Sequence, residues 1–385
     1  MFRFTLLLVL LILLPDLFIW WHFTRVQPGV WRTMLLLAPT AVALLCMLLL
    51  MCQIRVPGLM QLGFLILVCV SVPKLVFMLA AGTGKVLTLC GWNAGGIAVH
   101  IGIVLAVVTA CLQIYGASFG WRKLQVNRHT LHLQGLPPAF EGYRVVQISD
   151  LHLGSYHHHT AFVERLVDSV NAQQPDLIVF TGDLVNTEAR EAQPFVQVLQ
   201  RLHARDGVLS VLGNHDYMTY QPGLSPKQQH EQLDELVATQ QRMGWQVLRN
   251  EHRAVVRQTD TLYVAGVENI GKPPFPSRGN LAQSLQDIPP SACIVLLSHD
   301  PWHWRNGVLG HSPVALTLSG HTHAMQMQFY RFSPARWLMT EWGGLYSEGN
   351  QQLYVSTGIG GSVPYRLGAW PQVEVLTLTG HDAAN

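Results

Sequence analysis

Hydrophobic residues follow two different patterns along this chain. Up to about residue 120 they form four long apolar runs, at 4–20, 34–52, 59–81 and 95–118. Each run is near the ~20 residues of helix needed to cross a bilayer, and tryptophans lie at or near the ends of the runs, as in the aromatic belts of membrane proteins. The pattern predicts an all-α transmembrane region with four helices over residues 1–120, with the lipid bilayer as a partner.

From residue 121 the pattern changes to short apolar strands and amphipathic helices. Helices are predicted at 160–173, 191–203 and 227–243. Strands are predicted at 131–136, 143–148, 177–181, 207–212, 254–258, 262–266, 292–298, 314–319, 353–357 and 373–378. Helices and strands alternate first and strands dominate later, which favours α/β layers around one or two mixed sheets. We therefore expect a separate domain at 121–385.

The distribution of charge supports this division. Six Lys/Arg and one acid occur up to Gly120, whereas nineteen Lys/Arg and twenty-two Asp/Glu follow it. The slightly acidic second part argues against a nucleic-acid partner, because such binders present a basic face. Basic residues flanking the four apolar runs divide five to three in favour of a cytoplasmic second domain. Five of the six cysteines lie in the apolar part, so the second part has no cysteine-based zinc site or disulfide framework.

Two charged residues fall within or close to the apolar runs, where a charge is costly. Asp16 lies near the end of the first run, and we expect it to reach the membrane interface. Lys74 is expected to snorkel or pair, with a functional role in the bundle interior as the alternative.

Five predicted strands end in residue types that bind metal ions. Each strand is followed at once by a short motif: Asp150-Leu151-His152, Gly182-Asp183, Gly213-Asn214-His215-Asp216, His299-Asp300 and Gly320-His321-Thr322-His323. Any one motif alone is readily explained as a turn or as exposed histidines. Because the carboxyl ends of strands are where open α/β sheets build their sites, the five together indicate one shared site.

This ordered set of motifs resembles that of the calcineurin-like metallophosphoesterases, from about residue 143 to the end of the chain. The stretch 353–378, with Gly358, Gly360, Pro364 and Arg366, is similar to the membrane-associated YkuE-like branch of that family. The resemblance implies a two-sheet β-sandwich flanked by helices, and a dinuclear metal site that activates hydroxide for attack on phosphorus.

The resemblance also implies a role for each motif. Asp183 would bridge two divalent ions, while Asp150, His152 and His323 complete one site and Asn214, His299 and His321 complete the other. His215 would protonate the leaving oxygen or stabilise charge on the phosphoryl group, and Asp216 would hold the tautomer of His215. Mixed nitrogen and oxygen ligands without thiolate suit Mn, Fe, Zn or similar ions.

Several neighbouring residues carry weaker expectations. Ala324-Met325 stands where the branch usually has two glycines, which adds bulk beside the ligands. The run His157-His158-His159 is expected to be a solvated loop, and His303 to pack in a helix. For Tyr365-Arg366 two interpretations stay open, contact with a substrate phosphate or a surface hairpin.

These observations together predict an integral, multi-pass enzyme of a bacterial inner (plasma) membrane that hydrolyses a phosphate ester or anhydride with two metal ions. About twenty residues separate the last apolar run from the first ligand-bearing strand, which favours a lipid-linked substrate with Arg122, Lys123 and Arg128 near anionic head groups. The alternatives are a tethered nucleotide phosphodiesterase, and a membrane sensor or scaffold whose phosphoesterase domain is non-catalytic.

Overall fold

The computed structural model describes residues 2–25, 29–52, 58–273 and 275–380, with the side chains of residues 2–7 left aside. These residues fall into two units, Met1–Gly120 and Trp121–Asn385.

The described residues of the first unit form helices joined by short turns. Its helices are α1 (Phe2–Ile19), α2 (Val30–Met51), α3 (Leu59–Ile66), α4 (Val72–Leu89) and α5 (Gly95–Ser118). A π turn, Leu67–Ser71, joins α3 and α4. By length and composition, three helices of the described chain are suited to cross a membrane: Val30–Met51, Leu59–Leu89 and Gly95–Arg122. The apolar helix Leu8–Thr24 is shorter. A fourth crossing stays a prediction.

The two charged residues of this unit pair with each other. The Lys74 ammonium lies 2.7 Å from one carboxylate oxygen of Asp16 and donates to the Leu36 carbonyl at 2.6 Å. The Thr40 hydroxyl donates to the other Asp16 oxygen. Asp16 is buried, so the expectation that it reaches the interface is wrong. The reason is that Lys74 and Thr40 satisfy it inside the unit, where the ion pair and hydrogen bonds tie α1, α2 and α4 together.

The second unit contains two six-stranded sheets, which confirms the predicted two-sheet fold. The first has the order β1-β12-β2-β3-β4-β5 and the second β10-β11-β9-β8-β7-β6. The strands are β1 (Gln125–His132), β2 (Arg144–Ile148), β3 (Leu177–Phe180), β4 (Val208–Ser210), β5 (Trp245–Val247), β6 (Glu251–Arg257), β7 (Asp260–Gly266), β8 (Cys293–Leu297), β9 (Leu316–Ser319), β10 (Gly344–Glu348), β11 (Gln351–Val355) and β12 (Gln372–Thr379).

The sheets pack face to face through an apolar core. Val145, Val179 and Leu209 of the first sheet share one cluster of buried side chains with Val295 and Leu316 of the second. Because both faces of each sheet are covered, the central strands β2, β3 and β8 are buried almost throughout, which explains their continuous apolar runs.

Helices cover the outer face of the first sheet. They are α6 (Ala161–Asn171), α7 (Val196–Leu199) and α8 (Pro226–Arg242), and a further short helix, α9 (Leu281–Ser284), lies against the second sheet. The predicted apolar face of α6, from Phe162 to Val170, is buried as expected. The start of α8 is fixed by a capping box between Ser225 and Gln228.

Some predicted elements differ from the structure. The helix expected at 191–203 is a 3-10 helix, Ala189–Phe195, followed by the single turn α7, because Pro194 cannot continue an α-helical hydrogen-bond ladder. The strand expected at 131–136 is β1, which begins at Gln125 and pairs in parallel with β12. Strands β5 and β10 were not predicted, since one is three residues long and the other is mostly exposed.

The register of the parallel strands determines where the loops that follow them begin. Ile148 pairs with Phe180 in the first sheet, and Phe180 pairs with Ser210. In the second sheet Leu297 pairs with Leu318. The loops that follow β2, β3, β4, β8 and β9 therefore leave the two sheets at matching levels.

Candidate metal centre

All seven residues expected to bind metal come from those loops. Asp150 and His152 follow β2, Asp183 follows β3 and Asn214 follows β4. From the second sheet, His299 follows β8, while His321 and His323 follow β9. Their side chains converge because the carboxyl ends of parallel strands lie at one edge of each sheet.

The backbone is strained at most of these positions. Five of the seven residues have a positive φ, between 49° and 72°: Asp150, His152, Asp183, His321 and His323. The left-handed region costs a residue with a Cβ roughly 1 kcal/mol, so such a concentration marks a site whose geometry the surrounding fold enforces. Gly182 shows how tight that geometry is, since a Cβ there would lie 2.6 Å from the Gly213 nitrogen and 2.8 Å from the His299 ring.

One group of ligand atoms is formed by Asp150, His152, Asp183 and His323, and all four atoms lie within 4.8 Å of one another. The Nε2 atoms of His152 and His323 are 3.2 Å apart. His152 Nε2 lies 3.6 Å from an Asp183 oxygen, and His323 Nε2 lies 3.5 Å from an Asp150 oxygen. The group is buried, apart from a partly accessible His323.

A second group shares the Asp183 carboxylate with the first. Asp183, His299 and His321 place ligand atoms within 4.8 Å of one another. His299 Nε2 lies 3.2 Å from Asp183 and 3.3 Å from His321 Nδ1. The side-chain oxygen of Asn214 is 3.2 Å from the same His299 nitrogen. The two groups therefore meet at Asp183.

Buried oxygen and imidazole donors that converge at such distances fit divalent metal ions. The fit is chemical as well as geometric, because metal-binding histidines must be neutral. Burial lowers the pKa of His152 to about 3, and burial also lowers the pKa of His321 and His323. These three rings are thus already in the form that binds a metal.

Asp183 and His299 behave differently because they face each other. Burial favours the neutral form of both, but the opposite charge of the partner outweighs it. The pKa of His299 rises to about 10, and the pKa of Asp183 falls well below its usual range. For the other ligand carboxylate, Asp150, burial has the largest effect on the pKa and raises it to about 6.

Groups behind the ligands orient the rings. The Thr181 carbonyl lies 2.7 Å from His299 Nδ1, which directs Nε2 towards Asp183. Asp300 lies 3.6 Å from His321 Nε2 and leaves Nδ1 facing His299. Such carboxylate–histidine pairs commonly orient metal ligands. The sequence analysis named Asp300 in the motif after β8 but assigned it no role; its position directly after His299 was the available signal.

His215 lies beside the first group, with its ring centre 4.7 Å from that of His152. Its Nδ1 lies 2.7 Å from the Asn186 carbonyl oxygen. A carbonyl can only accept a hydrogen bond, so Nδ1 carries a proton and Nε2 is the atom available for other chemistry. The half-buried ring also packs on Tyr220, at 4.3 Å between centres.

The expected role of Asp216 is corrected by these contacts. Asn186, not Asp216, sets the tautomer of His215. The buried Asp216 carboxylate instead accepts backbone N–H groups from two loops: Asp183, Leu184, Val185 and Gly213. Asp216 thereby joins the loop after β3 to the loop after β4, and fixes the backbone at Asp183.

For Tyr365-Arg366 the surface hairpin is the wrong interpretation, because both residues are buried, while contact of Arg366 with a substrate phosphate stays a prediction. Arg366 donates to the carbonyls of Thr357 and Ala369, both at 2.9 Å, and lies 3.4 Å from His323 Nδ1. The guanidinium thus supports the loop beneath a ligand, and burial lowers the pKa of Arg366 to about 10.

The remaining histidines match their expectations. His157, His158 and His159 are exposed, as in a solvated loop. His303 is buried, with Nδ1 2.9 Å from the Ser298 hydroxyl, and burial lowers the pKa of His303 to about 4.

Replacing Asp216 by asparagine tests its corrected role. The amide nitrogen would face backbone N–H donors, so at least one buried donor loses its acceptor. We expect a loss of about 2 kcal/mol, or roughly 5 °C in the unfolding midpoint of the second unit, together with weaker metal binding. Thermal unfolding and metal analysis of the full chain measure both. Unchanged stability with an altered pH profile of turnover would instead support a direct action on His215.

Known proteins share these features. Residues 143–325 match the family described as calcineurin-like phosphoesterase. The chain is 28% identical over 282 residues to the uncharacterized metallophosphoesterase YkuE of Bacillus subtilis, covering 68% of this chain and 90% of that protein. It is 25% identical over 283 residues to the uncharacterized metallophosphoesterase YkoQ of the same organism, covering 70% of this chain and 96% of that protein.

Another relative is described by its name as a transmembrane protein. The chain is 27% identical over 285 residues to the transmembrane protein with metallophosphoesterase domain of Danio rerio, covering 72% of this chain. The match spans 62% of that relative's length. The motifs, the two sheets and these similarities agree: residues 143–325 form a calcineurin-like phosphoesterase domain, and the chain is similar to the YkuE-like branch of that family.

Proposed function

We propose that this protein is a membrane-anchored phosphoesterase that hydrolyses a phosphate ester or anhydride at two divalent metal ions. The observation that carries the proposal is the meeting of two ligand groups at the Asp183 carboxylate. Dinuclear hydrolases place their ions about 3.5 to 4 Å apart, a separation that one shared carboxylate can span.

The residues divide between two ions as follows. Asp150, His152 and His323 would hold one ion, Asn214, His299 and His321 the other, and Asp183 would bind both. When bound, such ions lower the pKa of water and neutralise charge on phosphoryl oxygens. The ligand groups include no thiolate, which suits Mn, Fe, Zn or similar ions.

His215 is the residue proposed to handle the leaving group. Its Nε2 is free of the Asn186 contact that occupies Nδ1, and the ring lies beside His152 at the edge of the first group. A protonated Nε2 can donate to the leaving oxygen, or stabilise charge on the phosphoryl group.

Two alternatives remain distinct from this proposal. A nucleotide phosphodiesterase merely tethered by its helices would keep full activity on soluble substrates after the helices are removed. A sensor or scaffold would show no hydrolysis, although the seven converging ligand residues count against it.

We further propose a bacterial plasma membrane as the location, with the second unit in the cytoplasm, following the charge bias of the flanking residues.

His215→Gln distinguishes catalysis from metal binding. If His215 protonates the leaving oxygen, kcat falls by roughly 10²–10⁴-fold for an alkyl phosphodiester and by much less for bis(p-nitrophenyl) phosphate, whose leaving group needs no proton. Metal content should be unchanged, because His215 is not a ligand. His230→Gln, an exposed histidine on α8, serves as the control. Equal losses for both substrates would argue against protonation of the leaving group by His215.

Metal affinity should depend on pH in a defined direction. In the absence of metal, His299 has a pKa of about 10 and is protonated at neutral pH. Binding through Nε2 must release that proton, so affinity rises with pH, by about tenfold per unit between pH 6 and 8. Metal titrations in buffers of different ionisation enthalpy measure the released proton. An affinity independent of pH would contradict this arrangement.

A lipid-linked substrate is favoured by an apolar groove of about 480 Å³ in the second unit. Its walls include Trp121, Tyr156 and Phe162, with the rings of Tyr156 and Phe162 stacked at 5.5 Å. Trp121 belongs to the apolar helix Gly95–Arg122, which is suited to cross a membrane. A volume in this range accommodates part of a hydrocarbon chain.

The groove also has the charge expected near a phosphate. Arg122 and Arg165 line it. Of the other basic residues expected near head groups, Lys123 lies over the Trp370 ring and Arg128 donates to Gln173. A narrow crevice shares Trp121 and Tyr156 with the groove and extends to Arg366, which neighbours His323. The groove thus leads towards the first ligand group.

Filling the groove should separate lipid from soluble substrates. Ala161→Trp places a large ring in the groove, while Ala172→Trp makes the same change at an exposed residue directly after the other end of α6. We expect kcat/KM for a long-chain lipid phosphate to fall on the order of tenfold in the first variant only, with soluble esters unaffected in both. A loss shared by lipid and soluble substrates, or no loss, would count against a lipid-binding groove.

A further inference from the structure

Exposed apolar side chains in the second unit are concentrated in one stretch, 325–345, here called the apolar segment. Of the eight large hydrophobic side chains exposed in the described part of this unit, seven belong to it: Met325, Phe329, Tyr330, Phe332, Trp337, Leu338 and Leu345. The eighth, Val256, lies on β6. Tyr330 is 88% exposed and Trp337 is 75% exposed. Exposed apolar side chains concentrated in one short stretch in this way indicate an interaction site.

The apolar segment is held in a defined shape. Gln328 donates its backbone N–H to the Leu367 carbonyl at 2.9 Å, and the Ser333 hydroxyl donates to the Ala324 carbonyl at 2.6 Å. Thr322 donates to the Trp342 carbonyl at 2.6 Å, next to the metal ligands. A short 3-10 helix, Pro334–Trp337, lies within the segment. Its apolar side chains are thus displayed by a hydrogen-bonded backbone.

Met325, the first residue of the apolar segment, has both a strained backbone and an exposed apolar side chain. Met325 has a φ of +48°, between Ala324 at +49° and Gln326 at +60°. Glycine would adopt this backbone without the roughly 1 kcal/mol cost that a Cβ brings. The Met325 side chain is also 43% exposed. A bulky apolar residue here is unfavourable in water on both counts, whereas an apolar surrounding would remove the cost of its exposure.

The charged side chains exposed in the apolar segment are both basic. Arg331 and Arg336 are exposed, and the Arg331 guanidinium lies 5.6 Å from the Tyr330 ring centre. The single acid, Glu341, is buried and pairs with Arg305 at 2.6 Å. Aromatic side chains flanked by arginine are the composition of membrane interfaces, where rings lie at head-group level and cations meet lipid phosphates.

We propose that the apolar segment contacts the bilayer surface, with Tyr330 and Trp337 among the lipid head groups and Arg331 and Arg336 on anionic phosphates. The chain itself carries helices suited by length and composition to cross a membrane, so a bilayer is the apolar phase that the segment would meet. The segment begins two residues after His323. Contact with lipid would therefore place the ligand groups beside the bilayer surface, where phosphate head groups are concentrated.

Photo-crosslinking tests this contact without relying on hydrolysis. A benzoylphenylalanine is introduced at residue 330 of the full chain, or at residue 256 as the matched exposed control, and the protein is reconstituted in vesicles of phosphatidylethanolamine and phosphatidylglycerol. After illumination, mass spectrometry should find lipid adducts at residue 330 at a several-fold higher yield than at 256. A yield at 330 no higher than at 256, or crosslinks to a second copy of the chain instead of lipid, overturns the proposal.

The basic residues have their own test in the same assay. In the Arg331→Gln/Arg336→Gln double variant, the lipid-adduct yield at residue 330 should fall several-fold, and added salt should weaken the adduct yield of the parent protein but not that of the variant. A yield that neither the double variant nor salt alters would overturn the assignment of anionic lipid to the two arginines. Because adducts form without turnover, an inactive protein would leave this result readable.

Discussion

The Asp183 carboxylate belongs to both groups of ligand atoms, and the geometry of the candidate metal centre in the second unit depends on its position. His152 and His299 approach it from opposite groups of ligands, at 3.6 and 3.2 Å. Gly182 allows the chain to turn there, and the buried Asp216 holds the backbone of Asp183 against the next loop. A carboxylate at this depth needs a compensating charge, which the proposed shared cation would supply when His299 loses its proton.

The ligand candidates come together because the strands that precede them are parallel and end near one another. Parallel strands β2, β3 and β4 in one sheet, and β8 and β9 in the other, end at matching levels, so that loops separated by up to 173 positions along the chain meet in space. The two sheets share a buried apolar core, of the close-packed kind that protein interiors show, and five ligand candidates in the loops beyond it adopt the left-handed backbone region. Local strain at the metal centre is thus maintained by apolar packing elsewhere.

Much of this arrangement was predictable from the sequence. Central strands are buried on both faces and read as apolar runs, and the residues that follow them are the ligand candidates. Other features depend on contacts that sequence does not encode locally. The partner of His215 is a backbone carbonyl, at Asn186, and Arg366 was ambiguous because its burial follows from loop packing. No element was predicted from the sequence within the apolar segment 325–345, and the exposure of its side chains is seen only in the structure.

Metal stoichiometry tests the central claim most directly. The purified full chain, loaded with a divalent metal and freed of excess, is compared by elemental analysis with Asp183→Ala and with Asp168→Ala, which removes an exposed acid on α6. A shared Asp183 predicts two ions per chain in the parent and in Asp168→Ala, and loss of ions from both sites in Asp183→Ala. Two ions retained by Asp183→Ala, or a fully active parent protein with a single ion, would contradict the account.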